Sequence, residues 1–215
     1  MTLLKVGDRL FYFAHVPKTG GSSVETSMRA AGAVRALHYH KRLKYLSCNL
    51  QHMQAGLFDT FVPPAFYEAG FCVTRHPVAR LVSEYRWRQT LDHVKEPFEI
   101  WVRKQLKAYA KNPYILDNHI RPQHEFVGQK IEVLRFEDGM DNVLSRVAQI
   151  TGLALNPDTH VRKPKVKEPL TWSPETRAAA LRFYHADFGA FGYDYDTNFE
   201  DLSVARDEPV PAAMN

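Results

Sequence analysis

The stretch that most constrains this chain is Pro17-Lys18-Thr19-Gly20-Gly21-Ser22-Ser23. An apolar run, Leu10-Phe11-Tyr12-Phe13-Ala14-His15-Val16, precedes it and reads as a buried strand. Val24 to Ala31 follows and reads as a helix. Strand, Gly-rich turn and helix N-terminus in that order make an anion site. The first helical N–H groups have no partner within the helix, and the helix dipole adds positive potential there. Glycines let the backbone come close to a phosphate. Lys18 adds a point charge, and Thr19, Ser22 and Ser23 add hydroxyl donors. A plain strand-to-helix turn would account for the glycine pair alone. Lysine and three hydroxyl residues around it favour a cradle for the 5′-phosphate end of a nucleotide.

With 215 residues and 45% hydrophobic content, the chain is long enough for one sizeable core and short for two. A single domain is expected over 1–198, with a loosely held tail over 199–215 that is acidic and then rich in Pro and Ala. The formal net charge of +4 suits an anionic ligand without demanding nucleic acid. The two cysteines, Cys48 and Cys72, have no metal or redox spacing, and Cys72 lies in an apolar run as a small core residue. No signal-peptide core and no membrane-length apolar run is present, so a soluble, cytoplasmic protein is expected. Nothing in the sequence sets an oligomeric state.

Residues 1–9 read as a lead-in, 10–16 as a central parallel strand and 22–32 as a helix closed near Gly32. The segment 33–68 is irregular, with His38, His40 and His52. Ala69 to Arg75 is a second strand. Pro77 then opens a helix over 77–90 with Val78, Leu81, Val82 and Tyr85 on one side. Glu96 to Tyr109 is another amphipathic helix, and Lys130 to Phe136 a third strand. Asp138 is placed to cap a helix over 140–151 that stops at Gly152. A basic loop over 156–172 leads to a last helix, opened by Ser173-Pro174 and running to about residue 186. Strands separated by helices imply an α/β fold, a central parallel sheet flanked by helices. Ligands in such sheets sit beyond the carboxyl ends of the strands, where both the Gly-rich turn and Arg75 fall.

The second constellation is Arg75-His76-Pro77-Val78-Ala79-Arg80-Leu81-Val82-Ser83-Glu84-Tyr85. An arginine fork at a strand end and a hydroxyl two turns into the next helix suit a second phosphate. Structural ion pairs and packing explain them equally well in isolation. Together, the Pro-Lys-Thr-Gly-Gly-Ser-Ser turn and the Arg-x-Pro-x-x-Arg-x-x-Ser-x-Tyr stretch resemble the sulfotransferases. The resemblance is closest to the carbohydrate 2-O- and chondroitin-type branch. His119-Ile120-Arg121-Pro122-Gln123, Arg135-Phe136-Glu137-Asp138 and Tyr184 to Tyr193 resemble later family stretches, so the similarity spans about residues 10–195. The family has an acidic residue where this chain has His76, which would cap the helix or orient the arginine.

The resemblance implies a P-loop-like fold and 3′-phosphoadenosine 5′-phosphosulfate (PAPS) as donor, with the 3′,5′-bisphosphate PAP as product. Lys18, Thr19, Gly20, Gly21, Ser22 and Ser23 would hold the 5′-phosphosulfate, and Arg75 and Ser83 the 3′-phosphate. Lys163 or Lys165, in the late basic loop, would add to the 3′-phosphate site. Sulfuryl transfer is expected to run in line, with charge spread over peripheral and leaving oxygens, so positioning and electrostatics carry it. Lys18 would stabilise the leaving oxygen, and no metal is expected.

A general base is also required, and histidine suits neutral pH. His52 occupies the place where relatives often carry a catalytic histidine. His38 and His40, as bases or acceptor contacts, and Glu25 or another carboxylate are the other candidates, and His15 is expected to buttress the loop. His119 and Gln123, four apart, would share a helix face, contacting the acceptor or bracing the site. Trp87 and Trp101 read as packing, with base stacking open for Trp172 alone. The acceptor is expected to be a hydroxyl of a small molecule or glycan, a carbohydrate or glycolipid first, with a small alcohol, a phenol and peptide tyrosine left open. Two rivals remain: a P-loop kinase or other NTP-using enzyme, and a non-catalytic module binding nucleotide or glycan. The first is disfavoured because Lys18 precedes the glycine pair, whereas the ATP loop places its lysine after the last glycine.

Overall fold

A computed structural model describes residues 1–38, 43–155 and 170–197. The chain divides into two compact units, one drawn from 1–75 and 125–162, the other from 76–124 and 163–207.

The first unit is built on a five-stranded sheet of order β3-β1-β2-β4-β5. Its strands are β1 (Thr2–Val6), β2 (Arg9–Ala14), β3 (Val34–Ala36), β4 (Ala69–Thr74) and β5 (Ile131–Arg135). β2, β4 and β5 run parallel, with Phe13 opposite Phe71 and Thr74 opposite Arg135. β1 is antiparallel to both β2 and β3, so the sheet is mixed rather than wholly parallel. The residues read as a lead-in are a strand. Gly7, at φ 58, and Asp8 close a tight hairpin that pairs Val6 with Arg9.

Alternation along β2 and β4 separates the two sheet faces. Phe11, Phe13, Phe71 and Val73 point to one face, where they meet Val24 and Met28 of α1 (Gly21–Ala30) and Val143, Leu144 and Val147 of α5 (Met140–Thr151). On the other face the Tyr12 ring stacks on Phe58 of α2 (Ala55–Phe61), centroids 4.0 Å apart. Helices therefore cover both faces, as expected, although α2 lies in the segment read as irregular. α1 ends before Gly32, at φ 93, and α5 ends on Gly152, at φ 74. The cap of α5 differs from expectation. Gly139 is the N-cap residue, and Asp138 sits in the preceding turn, its carbonyl accepting from the Asn142 side chain. Cys72 of β4 is fully buried, and burial pushes its thiol up to about 12.

The second unit is helical: α3 (Pro77–Thr90), α4 (Phe98–Tyr109), α6 (Pro174–Phe183) and α7 (His185–Phe191). Val78, Leu81, Val82 and Tyr85 of α3 pack with Phe98, Trp101 and Val102 of α4 and with Ala180, Tyr184 and Phe188. Ile100 of α4 is exposed although its neighbours Trp101 and Val102 are buried. Trp172 lies against Phe98, ring centroids 5.5 Å apart. Ser173 caps α6 by accepting from the Thr176 N–H, as its Ser-Pro start implies. The single last helix of the sequence reading is two helices, broken at Tyr184, whose hydroxyl donates to the Ile120 carbonyl at 2.8 Å.

Phe71 is fully buried, its ring 5.1 Å from that of Phe13. Phe71→Ala is expected to destabilise the protein by about 3–5 kcal/mol in urea unfolding. A loss under about 1 kcal/mol would mean that this sheet face is not the core.

Candidate active site

β2 ends at Ala14, and the chain must turn into α1 at Gly21. It does so through two left-handed residues, Lys18 at φ 68 and Gly20 at φ 84. Lysine is uncommon there, and residues held in such regions cluster at functional sites. The turn is braced from within: the Thr19 hydroxyl donates to the Val16 carbonyl at 2.9 Å, and Ser23 N donates to Gly20 O at 3.0 Å. Thr19 is fully buried, so its hydroxyl serves the loop itself. Lys18 and Ser22 are half-buried and Ser23 is buried.

Both glycines are fixed by their surroundings. A Cβ on Gly20 would stand 2.4 Å from the Met140 side chain and 3.2 Å from the Phe136 ring. A Cβ on Gly21 would stand 2.7 Å from His15 Nε2. His15 thus lies flat against the loop, the buttressing place expected for it.

Arg75 follows β4 and is buried. Its Nη1 donates to the Lys18 carbonyl at 3.4 Å, and its guanidinium lies 4.5 Å from the centroid of the Phe136 ring. The loop follows β2, Arg75 follows β4 and Phe136 follows β5, so the carboxyl ends of the three parallel strands meet at one place. Lys18 and Arg75, 57 positions apart, are brought together as the sequence reading required.

A buried polar cluster stands beside the loop. Glu25, in the second turn of α1, is 1% exposed. It accepts from the Thr2 hydroxyl at 2.5 Å and from the Gln51 amide at 2.9 Å. His15 Nδ1 lies 3.2 Å and His38 Nδ1 3.1 Å from its oxygens. Burial alone would raise the Glu25 carboxyl, but the His15 and His38 imidazoles outweigh it and hold the group well below the usual carboxylate range. Gln51 Nε2 also stands 3.1 Å from His15 Nδ1. His52 follows in the short turn Leu50–His52, its ring edge-on to His15 with centroids 5.6 Å apart. His40, Lys163 and Lys165 lie outside the described residues.

The remaining predicted residues belong to the helical unit. Ser83 is buried on α3. His76 caps α3, its Nδ1 accepting from the Val78 N–H at 3.3 Å, while Nε2 faces the Asp194 carbonyl at 3.1 Å. This is the capping role open to it in place of an acid.

His119 and Gln123 do not share a helix face. Left-handed Leu116, Asp117 and Asn118 and then Pro122 break the segment into short turns. His119 Nδ1 lies 2.7 Å from the Glu84 carboxylate, its ring stacks on Trp87, and its carbonyl accepts from Arg80 at 2.7 Å. Gln123 donates its backbone N–H to Asp187 at 2.8 Å. Sequence reading missed Gln51, Glu84 and Asp187. An i,i+4 pair, Glu84 with Arg88, was the only signal on offer for Glu84.

The sequence model of the Sulfotransferase family matches residues 4–194. The chain belongs to the sulfotransferase family. A search of curated proteins and a search of solved structures each returned no match. Membership makes this protein an enzyme that transfers sulfate, and the mixed α/β architecture accords with a sulfotransferase fold. Among the described residues, no helix of this sulfotransferase is long and apolar enough to cross a membrane.

The depressed Glu25 carboxyl predicts a pH dependence of stability. A group whose folded value lies below its ordinary 4.5 contributes fully above that pH and loses its contribution as pH falls further. Urea unfolding of wild type and Glu25→Gln is expected to show the largest gap near pH 6, narrowing below about pH 4.5. A gap independent of pH would contradict the ionised state of Glu25.

Proposed function

We propose that this sulfotransferase takes its sulfuryl group from PAPS and delivers it to a hydroxyl of a carbohydrate or glycolipid, in the manner of the 2-O- and chondroitin-type branch. The observation that carries the reading is Arg75 reaching Lys18 O across the strand ends. An arginine fixed beside a Gly-rich anion turn suits a ligand with phosphates at two positions. On this reading Lys18, the backbone N–H groups of Gly20, Gly21 and Ser22, and the hydroxyls of Ser22 and Ser23 hold the 5′-phosphosulfate, with Thr19 bracing the turn. Arg75, Ser83 and Lys163 or Lys165 hold the 3′-phosphate. The family match runs through both units, which supports one sulfotransferase domain over 1–198, with a P-loop-like sheet at its centre.

PAPS supplies the activated sulfuryl group. The acceptor oxygen attacks sulfur in line, the new O–S bond forms, and the bond from sulfur to the phosphate oxygen breaks. Lys18 stabilises charge on the leaving phosphate, and His52 takes the acceptor proton. Glu25 is the poorer base, because its carboxylate is held well below neutral and accepts from Thr2 and Gln51. His38, His40, His119 and Gln123 are assigned to acceptor contact. No metal is assigned to the reaction.

Calorimetric titration tests the donor. PAP is expected to bind at least about 100-fold more tightly than ATP with magnesium, and Arg75→Ala to weaken PAP by about 10–100-fold. His52→Ala is expected to keep PAP affinity within about threefold while transfer of labelled sulfate falls by about 10²–10⁴-fold. Tight ATP binding without PAP binding would establish an NTP-using enzyme instead. PAP binding with no transfer across a broad acceptor screen would leave a binding module.

A further inference from the structure

Glu25 gathers groups from four separate stretches of the first unit. Thr2 comes from β1, His15 from the exit of β2, His38 from beyond β3, and Gln51 from the turn Leu50–His52. Its own backbone is fixed, because it lies in α1 directly after the phosphate turn. A carboxylate this deeply buried adds little net stability over a well-packed apolar side chain, so what it specifies is geometry.

The contact with consequence for chemistry is the one to Gln51. The Gln51 amide donates to Glu25 Oε2 at 2.9 Å and stands 3.1 Å from His15 Nδ1. Gln51 is buried and directly precedes His52. The His52 backbone N–H donates to Asn49 O at 3.0 Å, and the following N–H, of Met53, donates to Leu50 O at 3.3 Å. The Met1 amino group donates to the Leu50 carbonyl at 3.1 Å and to the Gln51 carbonyl, so the backbone of this three-residue turn is also held from the start of β1. The Gln51 side chain adds the tie to α1, the helix that follows the Gly-rich turn.

We propose that Glu25 is a positioning residue for sulfotransfer, acting through the Gln51 amide to fix the turn that carries His52. This rests on the reading of His52 as the base. A base must stand within hydrogen-bond reach of the acceptor hydroxyl, and a misplacement of about 1 Å costs about 100-fold in rate. Removing the tether should therefore lower kcat while leaving donor affinity in place.

The test is a double-mutant cycle on the full chain, with thermal unfolding recorded for each variant. Gln51→Met keeps the side-chain length and removes the amide. It is expected to lower kcat by about 10–100-fold, with PAP affinity within about threefold of wild type. Glu25→Gln is expected to lower kcat at least as far, and adding Gln51→Met to it should cost less than about twofold more. In a His52→Ala background, Gln51→Met should likewise add less than about twofold. If Glu25→Gln does not fold, Gln51→Met and its combination with His52→Ala carry the test alone. Unchanged kcat in Gln51→Met, or the same loss with and without His52, overturns the proposal while leaving His52 as the base. Full turnover in His52→Ala removes the base assignment and the proposal together.

Discussion

Everything at the candidate site depends on how β2 turns into α1. The turn contains two left-handed residues, and one of them is a lysine. Holding a non-glycine residue there costs about 1–3 kcal/mol, so the surroundings must over-determine it. They do. Arg75 donates to the Lys18 carbonyl, Phe136 and Met140 close on Gly20, and the His15 ring lies against Gly21. Each of these contacts comes from the end of a parallel strand or from the helix that follows one. The strained turn and the meeting of the strand ends are thus one feature. A side chain on either glycine would separate the loop from the groups that hold it.

A second regularity concerns the buried acids. Glu25, Glu84 and Asp187 are all at most 1% exposed, and each faces the Nδ1 of a histidine: His15 and His38, His119, and His124. A carboxylate at Nδ1 fixes the ring orientation and favours one tautomer. Asp187 goes further, accepting backbone N–H groups from Gln123 and His124 as well. Such pairs are weak evidence of stability, since desolvation offsets much of the attraction. Their effect is to give imidazole rings single orientations in both units.

Much of this was legible in the sequence, for identifiable reasons. β2, β4, α1 and α3 carry strong apolar periodicity and Gly or Pro boundaries, and the structure places them within a residue or two of expectation. β1 was missed because a five-residue strand at the chain start has no room to show periodicity. The Gly7-Asp8 turn that pairs it with β2 was a usable sign. β3, three residues long, had no readable signal. At the site, the Gly-rich turn and Arg75 were legible because their chemistry is local to short motifs. The Glu25 cluster was not, since its partners lie 10 to 26 positions away and only the folded sheet assembles them. His119 and Gln123 misled through spacing alone: i,i+4 implies a shared face only when the backbone between is helical, and Ile120 and Arg121 are turn and bend.

The same geometry separates three neighbouring histidines that sequence could only name together. His15 and His38 both present Nδ1 to Glu25, which leaves Nε2 of each as the group able to face a ligand. For His15 one ring face is covered, since Nε2, Cε1 and Cδ2 stand 2.7, 2.8 and 2.9 Å from where a Gly21 Cβ would be. No group fits between that face and the loop backbone, so His15 braces the turn. His52 meets His15 edge-on and is half-buried, and it sits on a short turn rather than on a sheet or long helix. A group on such a turn moves with whatever holds the turn. That makes the Gln51 tether to α1 one structural link by which the Gly-rich loop and His52 share a frame, since α1 begins where the loop ends.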